Sequence, residues 1–256
     1  MIVVLSPAKT LDYKTPLRTN TFTQPLFQER AESLVDILRG YDVDGIRNLM
    51  DVSEKIATLN VDRYKSYDSD FTPENARQAL LTFNGDSYIG FDLEAYTEED
   101  FAYAQDHLRT LSGLYGLLRP LDLMQPYRLE MGTKLSNPQG KNLYEFWGTE
   151  IAESLNEALA AQGDDILVNL ASHEYFKSVD RKALNGTVVQ PVFRDYKKGE
   201  YKIIAIYAKK ARGFMADWIL RSRAQTVEDL KMFTGEGYVF SPSDSTDTEL
   251  VFLRKL

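Results

Sequence analysis

The chain has 256 residues, of which 43% are hydrophobic and 27% charged, with a formal net charge of −8 and no cysteine. This composition is typical of a globular protein, and no segment approaches the roughly 20 consecutive apolar residues that a membrane-spanning helix needs. The lack of cysteine excludes disulfides, thiolate metal sites and cysteine nucleophiles. The negative net charge argues against a protein that coats DNA indiscriminately. With no basic leader at the N-terminus, we expect a cytoplasmic protein without membrane contacts.

The pattern of apolar residues predicts a first strand, a run of helices, and then a mixture of helices and strands. Residues 2–5 form a short apolar run that ends at a Ser-Pro pair, which is typical of a buried strand. Helical spacing predicts helices at 25–38, 43–50, 54–60, 72–83, 97–107, 143–161 and 207–223. Strands are predicted at 166–170, 188–193, 201–206, 238–240 and 250–253. Residues 111–134, rich in glycine and proline among large apolar residues, are predicted as a buried and tightly turned connection.

These elements predict the α/β class, with a mixed β-sheet surrounded by helices in one domain that covers residues 1–256. The two short helices at about 42–60 resemble a helix-hairpin-helix, in which backbone amides grip a DNA phosphate. The connection at 51–53 lacks the usual glycines, and Asp51 would repel a phosphate. An ordinary helical hairpin in the core is therefore an equal alternative.

Several common kinds of active site have no support in the sequence. The two histidines, His107 and His173, lack a second histidine at helical spacing, so no metal site is predicted. Their positions suit the end of a helix for His107 and the first turn of a helix capped by Ser172 for His173. Nucleophile-elbow, Walker and dinucleotide-binding motifs are absent. No cofactor is predicted.

Basic residues in a few segments favour an anionic ligand. Lys9 follows the first strand in a Ser-Pro-Ala-Lys-Thr loop, and open α/β sheets hold ligands at the carboxyl ends of strands. Lys209 and Arg212 share one face near the start of a helix, where cations oppose the helix dipole and a bound anion would offset the cost. Alternatively, each residue is a solvated surface charge. The candidate anion-binding residues are Ser6, Lys9, Lys14, Arg119, Arg128, Lys134, Lys177, Lys209, Lys210 and Arg212. The predicted partner is DNA, bound without sequence specificity; no protein partner is predicted.

An enzyme that acts on a nucleotide, a nucleobase or another phosphorylated substrate is the second hypothesis. Glu130, Glu174 and Tyr127 lie near the basic segments, and a non-specific DNA binder has little need of carboxylates beside arginines. In this hypothesis Lys9 holds a phosphate, and Glu130 or Glu174 moves protons. The alternative for Arg128 and Glu130 is a structural ion pair on one face of a strand.

Seven sequence blocks resemble the signature blocks of the YaaA family of peroxide-stress proteins. They occur in family order at residues 5–12, 83–86, 111–122, 126–134, 168–172, 174–177 and 207–213. The resemblance implies a cytoplasmic bacterial protein that limits hydrogen peroxide damage by keeping free iron low. It also implies an α/β fold with a helix-hairpin-helix, here matched loosely by residues 50–56, and a basic cleft that binds duplex or distorted DNA. The cleft candidates that it implies are Lys9, Arg119, Arg128, Lys134, Lys177, Lys209, Lys210 and Arg212.

Overall fold

A computed structural model describes residues 1–255, which contain ten strands and ten α-helices. The strands are β1 (Ile2–Leu5), β2 (Arg77–Gln78), β3 (Leu108–Ser112), β4 (Gly116–Leu118), β5 (Leu123–Met124), β6 (Ile166–Asn169), β7 (Thr187–Lys197), β8 (Glu200–Lys202), β9 (Val239–Phe240) and β10 (Glu249–Arg254). The helices are α1 (Gln28–Arg39), α2 (Val43–Met50), α3 (Glu54–Ser66), α4 (Ala79–Thr82), α5 (Glu98–His107), α6 (Leu143–Trp147), α7 (Glu150–Ala161), α8 (His173–Phe176), α9 (Ala205–Ser222) and α10 (Val227–Leu230).

Eight of these strands form a mixed sheet in the order β4-β3-β1-β6-β7-β10-β9, with β8 paired to β7. β1 is parallel to both of its neighbours, β3 and β6, and β7 is parallel to β6 and β10. β3, the next strand of this sheet after β1 in the chain, lies on one side of β1. β7, the next strand after β6, lies on the opposite side, beyond β6. The carboxyl ends of β1 and β6 therefore lie at a topological switch point, where open α/β sheets form a crevice.

The central strands have the apolar sequences that full burial requires. All four residues of β1 are buried, and Leu167 and Val168 of β6 are buried beside them. Strands covered by helices on both faces have continuous apolar runs instead of alternating ones. The predicted α/β class with a mixed sheet and surrounding helices is thus confirmed. Among residues 1–255, no helix combines the length and apolar character needed to cross a bilayer.

Local signals placed several helix starts correctly. α2 covers the predicted residues, and the hydroxyl of Ser53 accepts a hydrogen bond from the Ile56 amide at the start of α3. Thr97 caps α5, and the prediction that Ser172 caps a helix is confirmed for α8. In each case a serine or threonine side chain satisfies a backbone N–H of the first turn.

Two predicted helices are wrong in part. Residues 72–83 form a turn, the strand β2 and only one turn of α4, because Arg77 and Gln78 pair with Met124 and Leu123 of β5. This long-range pairing outweighs the local cap and proline signals. The helix predicted at 143–161 is broken into α6 and α7 at Gly148, whose φ of +48° belongs to the left-handed region.

The remaining differences concern the bounds of elements, since α1 begins three residues after the predicted start and α3 extends six residues beyond its predicted end. The connection predicted at 111–134 contains β4 and β5, and β3 begins before it. β7 is longer than predicted, whereas β8 is shorter, because residues 205 and 206 belong to α9. α9 therefore begins two residues before the predicted start. Arg128 and Glu130 lie in irregular backbone instead of on a strand.

Candidate anion-binding cleft

A cleft of about 620 Å³ opens at the switch point between β1 and β6. Its walls come from the segments that follow these two strands, from residues 85–88 and 127–130, and from α9. The lining includes the predicted residues Ser6, Lys9, Arg128, Glu130, Glu174, Lys209 and Arg212. Residues separated by up to about two hundred positions in the chain thus meet at one place.

The floor of the cleft is a set of hydrogen bonds between the two strand ends. The backbone N–H of Ser172 donates to Oγ of Ser6 over 2.9 Å, and the two hydroxyl oxygens lie 3.3 Å apart. The hydroxyl of Tyr88 donates to the carbonyl oxygen of Ser6 over 3.1 Å. Ser6 therefore fixes the loop after β1 against the loop after β6.

Two glycines let the side walls approach this floor closely. A Cβ on Gly213 of α9 would lie 2.2 Å from the carbonyl oxygen of Ser87. A Cβ on Gly113 would lie 2.2 Å from the carbonyl oxygen of Leu129. Only glycine allows such contacts. The first contact places Arg212 in the cleft wall. The second contact places the segment that carries Arg128 and Glu130 in that wall as well.

Glu130 partly neutralises two of the cations. Its Oε1 lies 2.6 Å from Nζ of Lys9 and 3.4 Å from a terminal guanidinium nitrogen of Arg128. The Nε of Arg128 is buried and has no hydrogen-bond partner within residues 1–255. The ion pair expected between Arg128 and Glu130 is therefore present, but it leaves the Arg128 guanidinium incompletely satisfied.

Arg212 has no counterion in the described part of the chain. Its Nε is buried without a hydrogen-bond partner, and no carboxylate within residues 1–255 forms an ion pair with it. Burial lowers the pKa of the Arg212 guanidinium from its ordinary value. A guanidinium still keeps its proton under physiological conditions, so Arg212 presents to the cleft a half-buried positive charge with no carboxylate partner in the described residues. Arg212 lies well inside α9, so this burial matters more than the helix dipole, which acts over the first turn.

The acidic residues of the cleft limit its positive potential. Lys9, Arg128, Lys209 and Arg212 face the carboxylates of Asp86, Glu130 and Glu174, and Oε1 of Glu174 accepts a hydrogen bond from the Gly132 amide over 3.0 Å. Burial raises the pKa values of the Tyr127 and Tyr175 hydroxyls above their ordinary range. These phenols stay protonated at neutral pH and can donate hydrogen bonds. The cleft is thus suited to an anion placed at particular donors more than to long-range attraction.

Five predicted residues lie outside this lining. Arg119 forms an ion pair of 2.8 Å with the fully buried Asp122, so its charge is already matched. Lys177 lines a neighbouring groove, with its Nζ 4.8 Å from the centre of the Tyr144 ring. Lys14 and Lys134 are exposed, and Lys210 is partly buried on α9. The structure therefore brings four of the nine predicted basic residues together in the cleft.

Several residues of the site have no functional signal of their own in the sequence. His173 lines the cleft, the groove beside Lys177 and a further cavity, although its sequence position suggested only the first turn of a helix. Arg181 joins Lys177 in the groove. Asp86, Ser87 and Tyr88 also line the cleft. The resemblance block at 83–86 was the one signal that could have pointed to this loop.

Asp12, just beyond the cleft loop, stabilises a turn in its charged form. Hydrogen bonds from the Thr15 hydroxyl and from the Thr15 and Lys14 amides lower the pKa of Asp12 from 3.8 to about 2. Because the folded-state pKa is lowered, this stabilisation is complete well above pH 4 and is lost as the pH falls through about 2. We expect Asp12→Asn to cost about 1 kcal/mol or less at pH 7, given solvent screening, and clearly less at pH 2. Urea unfolding at both pH values measures the difference; an equal loss at both would contradict it.

Fold and site together define an α/β protein with a cleft at a sheet switch point that is lined by both basic and acidic side chains. The sequence matches the profile of the peroxide stress protein YaaA family over residues 1–244. It is 57% identical over 255 residues to a UPF0246 protein of Shewanella amazonensis, with 100% of this chain and 99% of the relative covered. The chain therefore belongs to the YaaA family of peroxide stress proteins, as the sequence blocks predicted.

Proposed function

We propose that the protein acts in peroxide stress by binding DNA, with the sugar-phosphate backbone held in the cleft. The observation that carries this proposal is the pair of buried Nε atoms on Arg128 and Arg212 that lack partners within residues 1–255. A buried donor without an acceptor costs about 1–3 kcal/mol, and more when the group is charged. A phosphate oxygen supplies that acceptor, and the planar guanidinium binds phosphate in a bidentate way.

The proposed path of the backbone leads from the cleft over His173 into the neighbouring groove. His173 lines both, and the groove contains the exposed cations Lys177 and Arg181. Exposed lysines and arginines along such a path neutralise successive phosphates without reading bases. Phosphate contacts farther from the cleft are still predicted for Lys14, Lys134 and Lys210. Arg119 contributes least, since Asp122 already neutralises it.

The salt dependence of binding tests this proposal directly. The logarithm of the association constant for a short duplex should fall linearly with the logarithm of salt concentration, with a slope of about −0.9 per neutralised phosphate. Fluorescence anisotropy with a labelled duplex of random sequence measures that slope. Binding that is absent at low salt, or indifferent to salt, would rule out a phosphate contact at the cleft.

We also propose that the hairpin between α2 and α3 makes a second phosphate contact. Asp51 occupies the connection with a left-handed φ of +49°, the position at which a helix-hairpin-helix uses glycine. Its carboxylate repels phosphate. Asp51→Gly should therefore stabilise the fold by about 1 kcal/mol and tighten DNA binding.

Asp51→Asn is the matched control for this prediction, because it removes the charge and keeps a side chain that tolerates the left-handed conformation. It should tighten DNA binding with little change in stability. Thermal unfolding and anisotropy at low salt measure the two effects. Unchanged DNA affinity in both variants would remove the hairpin from the interface and leave the cleft unaffected.

The family resemblance supports a further proposal, that the protein lowers free intracellular iron under peroxide stress. Among residues 1–255, no group of three or more histidine, aspartate or glutamate side chains is arranged to hold a metal ion. The experiment compares chelatable iron in cells that carry the wild-type protein with that in cells that carry Arg212→Met. If the level of chelatable iron rises in the cells with Arg212→Met, iron lowering depends on DNA binding. If the level does not change, the two activities are independent.

An enzyme that uses the same cleft is the second candidate. The observation in its favour is Glu130, which is 29% exposed and lies between Lys9 and Arg128 in the lining. A carboxylate held by two cations beside a bound phosphate ester is placed for proton transfer. Incubation of the protein with nucleotides and with damaged DNA, followed by mass spectrometry, tests it. A mass change that Glu130→Gln abolishes supports the enzyme, and no change in any component rejects it.

A further inference from the structure

A second cavity of about 300 Å³, here called the side cavity, lies directly beside the cleft. Arg212 and His173 line both spaces and form the partition between them. The other walls come from β6, β7, α8 and the start of α9. A protein that holds only a DNA backbone in the cleft has no use for this space.

The side cavity is mainly apolar and contains two side-chain amides, those of Asn169 and Gln190. Phe176, Val192, Phe193, Ile203 and Ala208 supply the apolar surface. Asn169 is only 4% exposed and lies at the end of β6. An apolar space with a few fixed polar groups is the usual form of a small-molecule site.

Neighbouring groups hold the Asn169 amide in one orientation. Its Nδ2 donates to Oε1 of Gln190 over 2.6 Å, and its Oδ1 accepts from the Ala171 amide over 3.0 Å. Gln190 is held in turn, because its Nε2 donates to the Asn169 carbonyl oxygen over 2.9 Å. An amide has two N–H groups and two oxygen lone pairs, so Asn169 keeps one donor and one acceptor free. A donor beside an acceptor matches the edge of a nucleobase.

The partition joins this site to the cleft. The buried Nε of Arg212 has no partner within residues 1–255. Lys209, three residues earlier on the same face of α9, also lines the cleft. A phosphate bound by these two cations would place its attached nucleoside at the mouth of the side cavity. Phosphate, sugar and base of a single nucleotide then occupy neighbouring sites of matching chemistry.

We propose that the side cavity receives the base of one nucleotide whose phosphate is held by Arg212; this inference rests on the proposed function of the cleft. Two sources share this chemistry, namely a nucleotide turned out of a DNA duplex and a free mononucleotide. A damaged or unpaired base costs least to remove from the stack. Distorted DNA is therefore the source that we expect.

The first arm of the test uses a duplex with 2-aminopurine opposite an abasic position and a fluorescein label at one end. Stacking quenches 2-aminopurine, so its entry into the side cavity should raise its fluorescence several-fold on binding. Val192→Phe fills the cavity from β7 and should abolish this increase while the anisotropy of the label still reports full DNA binding. Val188→Phe is the matched control: it lies four residues away on the same half-exposed face of β7, outside the cavity lining. It should behave as the wild type.

The second arm titrates adenosine monophosphate by calorimetry. A nucleotide site is supported if adenosine monophosphate binds to the wild type and to Val188→Phe but not to Val192→Phe. If the 2-aminopurine fluorescence does not rise in the first arm, this result assigns the site to free nucleotides. Binding of DNA by anisotropy with neither a 2-aminopurine signal nor nucleotide heat overturns the side cavity alone. If the wild-type protein does not bind DNA at all, the proposed function of the cleft is rejected. An equal fluorescence increase in Val192→Phe also overturns the inference.

Discussion

Arg212→Met is expected to remove most DNA binding at the cleft and to stabilise the free protein at the same time. In the absence of an anion, the Arg212 guanidinium is partly desolvated, with no counterion and no partner for its buried Nε within residues 1–255. Replacing a poorly compensated buried charge by an apolar side chain of similar length is often stabilising. A residue that lowers stability and contributes to binding is characteristic of a functional site.

The size of the binding effect follows from the contact that is lost. A hydrogen bond to a charged group contributes about 1.5–3 kcal/mol, which corresponds to roughly a 10- to 100-fold lower affinity at low salt. Losing one phosphate contact should also make the salt slope shallower by about one unit. Anisotropy over a range of salt concentrations measures both quantities, and thermal unfolding without DNA measures the expected rise in Tm.

Arg221→Met is the control, because it removes the same charge from the same helix outside the cleft. Arg221 forms ion pairs with Asp92 at 3.7 Å and with Asp217 at 4.0 Å, and its side chain is 46% exposed. It should change neither the DNA affinity nor the salt slope appreciably, and it should not raise stability. Equal loss of binding in both variants would mean that α9 contributes only general positive charge. A fall in Tm for Arg212→Met would mean that the residue has a structural role.

Local sequence signals predicted much of the fold and one side of the site. The apolar run of β1 and its Ser-Pro end placed the cleft loop at the carboxyl end of a strand, where Ser6 and Lys9 lie in the structure. Caps such as Ser53 and Ser172 marked the starts of helices. These features depend on a few neighbouring residues, so a single sequence contains them.

The features that sequence reasoning missed depend on long-range contacts. Nothing near Gly213 in the chain shows that the Ser87 carbonyl oxygen lies against it, yet this contact helps to place Arg212 in the cleft. The pairing of Arg77 with Met124 likewise overrides a good local helix signal. Burial and pairing are also properties of the folded chain, so the sequence could not show which of the predicted arginines has a counterion. Arg119 is matched by Asp122, whereas Arg212 has no counterion within residues 1–255.

The same reasoning about buried charge predicts the largest effect on stability, at Asp195 of β7. Asp195 is fully buried, and its Oδ1 lies 2.6 Å from Nε of Arg254, the residue opposite it on β10. Its Oδ2 accepts a hydrogen bond from the Tyr238 hydroxyl over 2.9 Å. Asp195→Ala leaves a buried guanidinium and a buried hydroxyl without their acceptor. We expect a loss of about 3–5 kcal/mol in the free energy of unfolding.

The preceding residue of the same strand, Arg194, supplies the control through its own ion pair. Arg194 forms an ion pair of 3.9 Å with Glu249 of β10, but the two side chains are 32% and 50% exposed. Glu249→Gln should cost less than about 1 kcal/mol, because solvent screens the exposed pair. The double variant Asp195→Leu with Arg254→Met should recover much of the loss caused by Asp195→Ala, since no unpaired charge then remains in the core. Urea unfolding of the four proteins measures these differences. If the double variant is as unstable as Asp195→Ala, specific packing at this site, and not the unpaired charge, determines the stability of this half of the sheet.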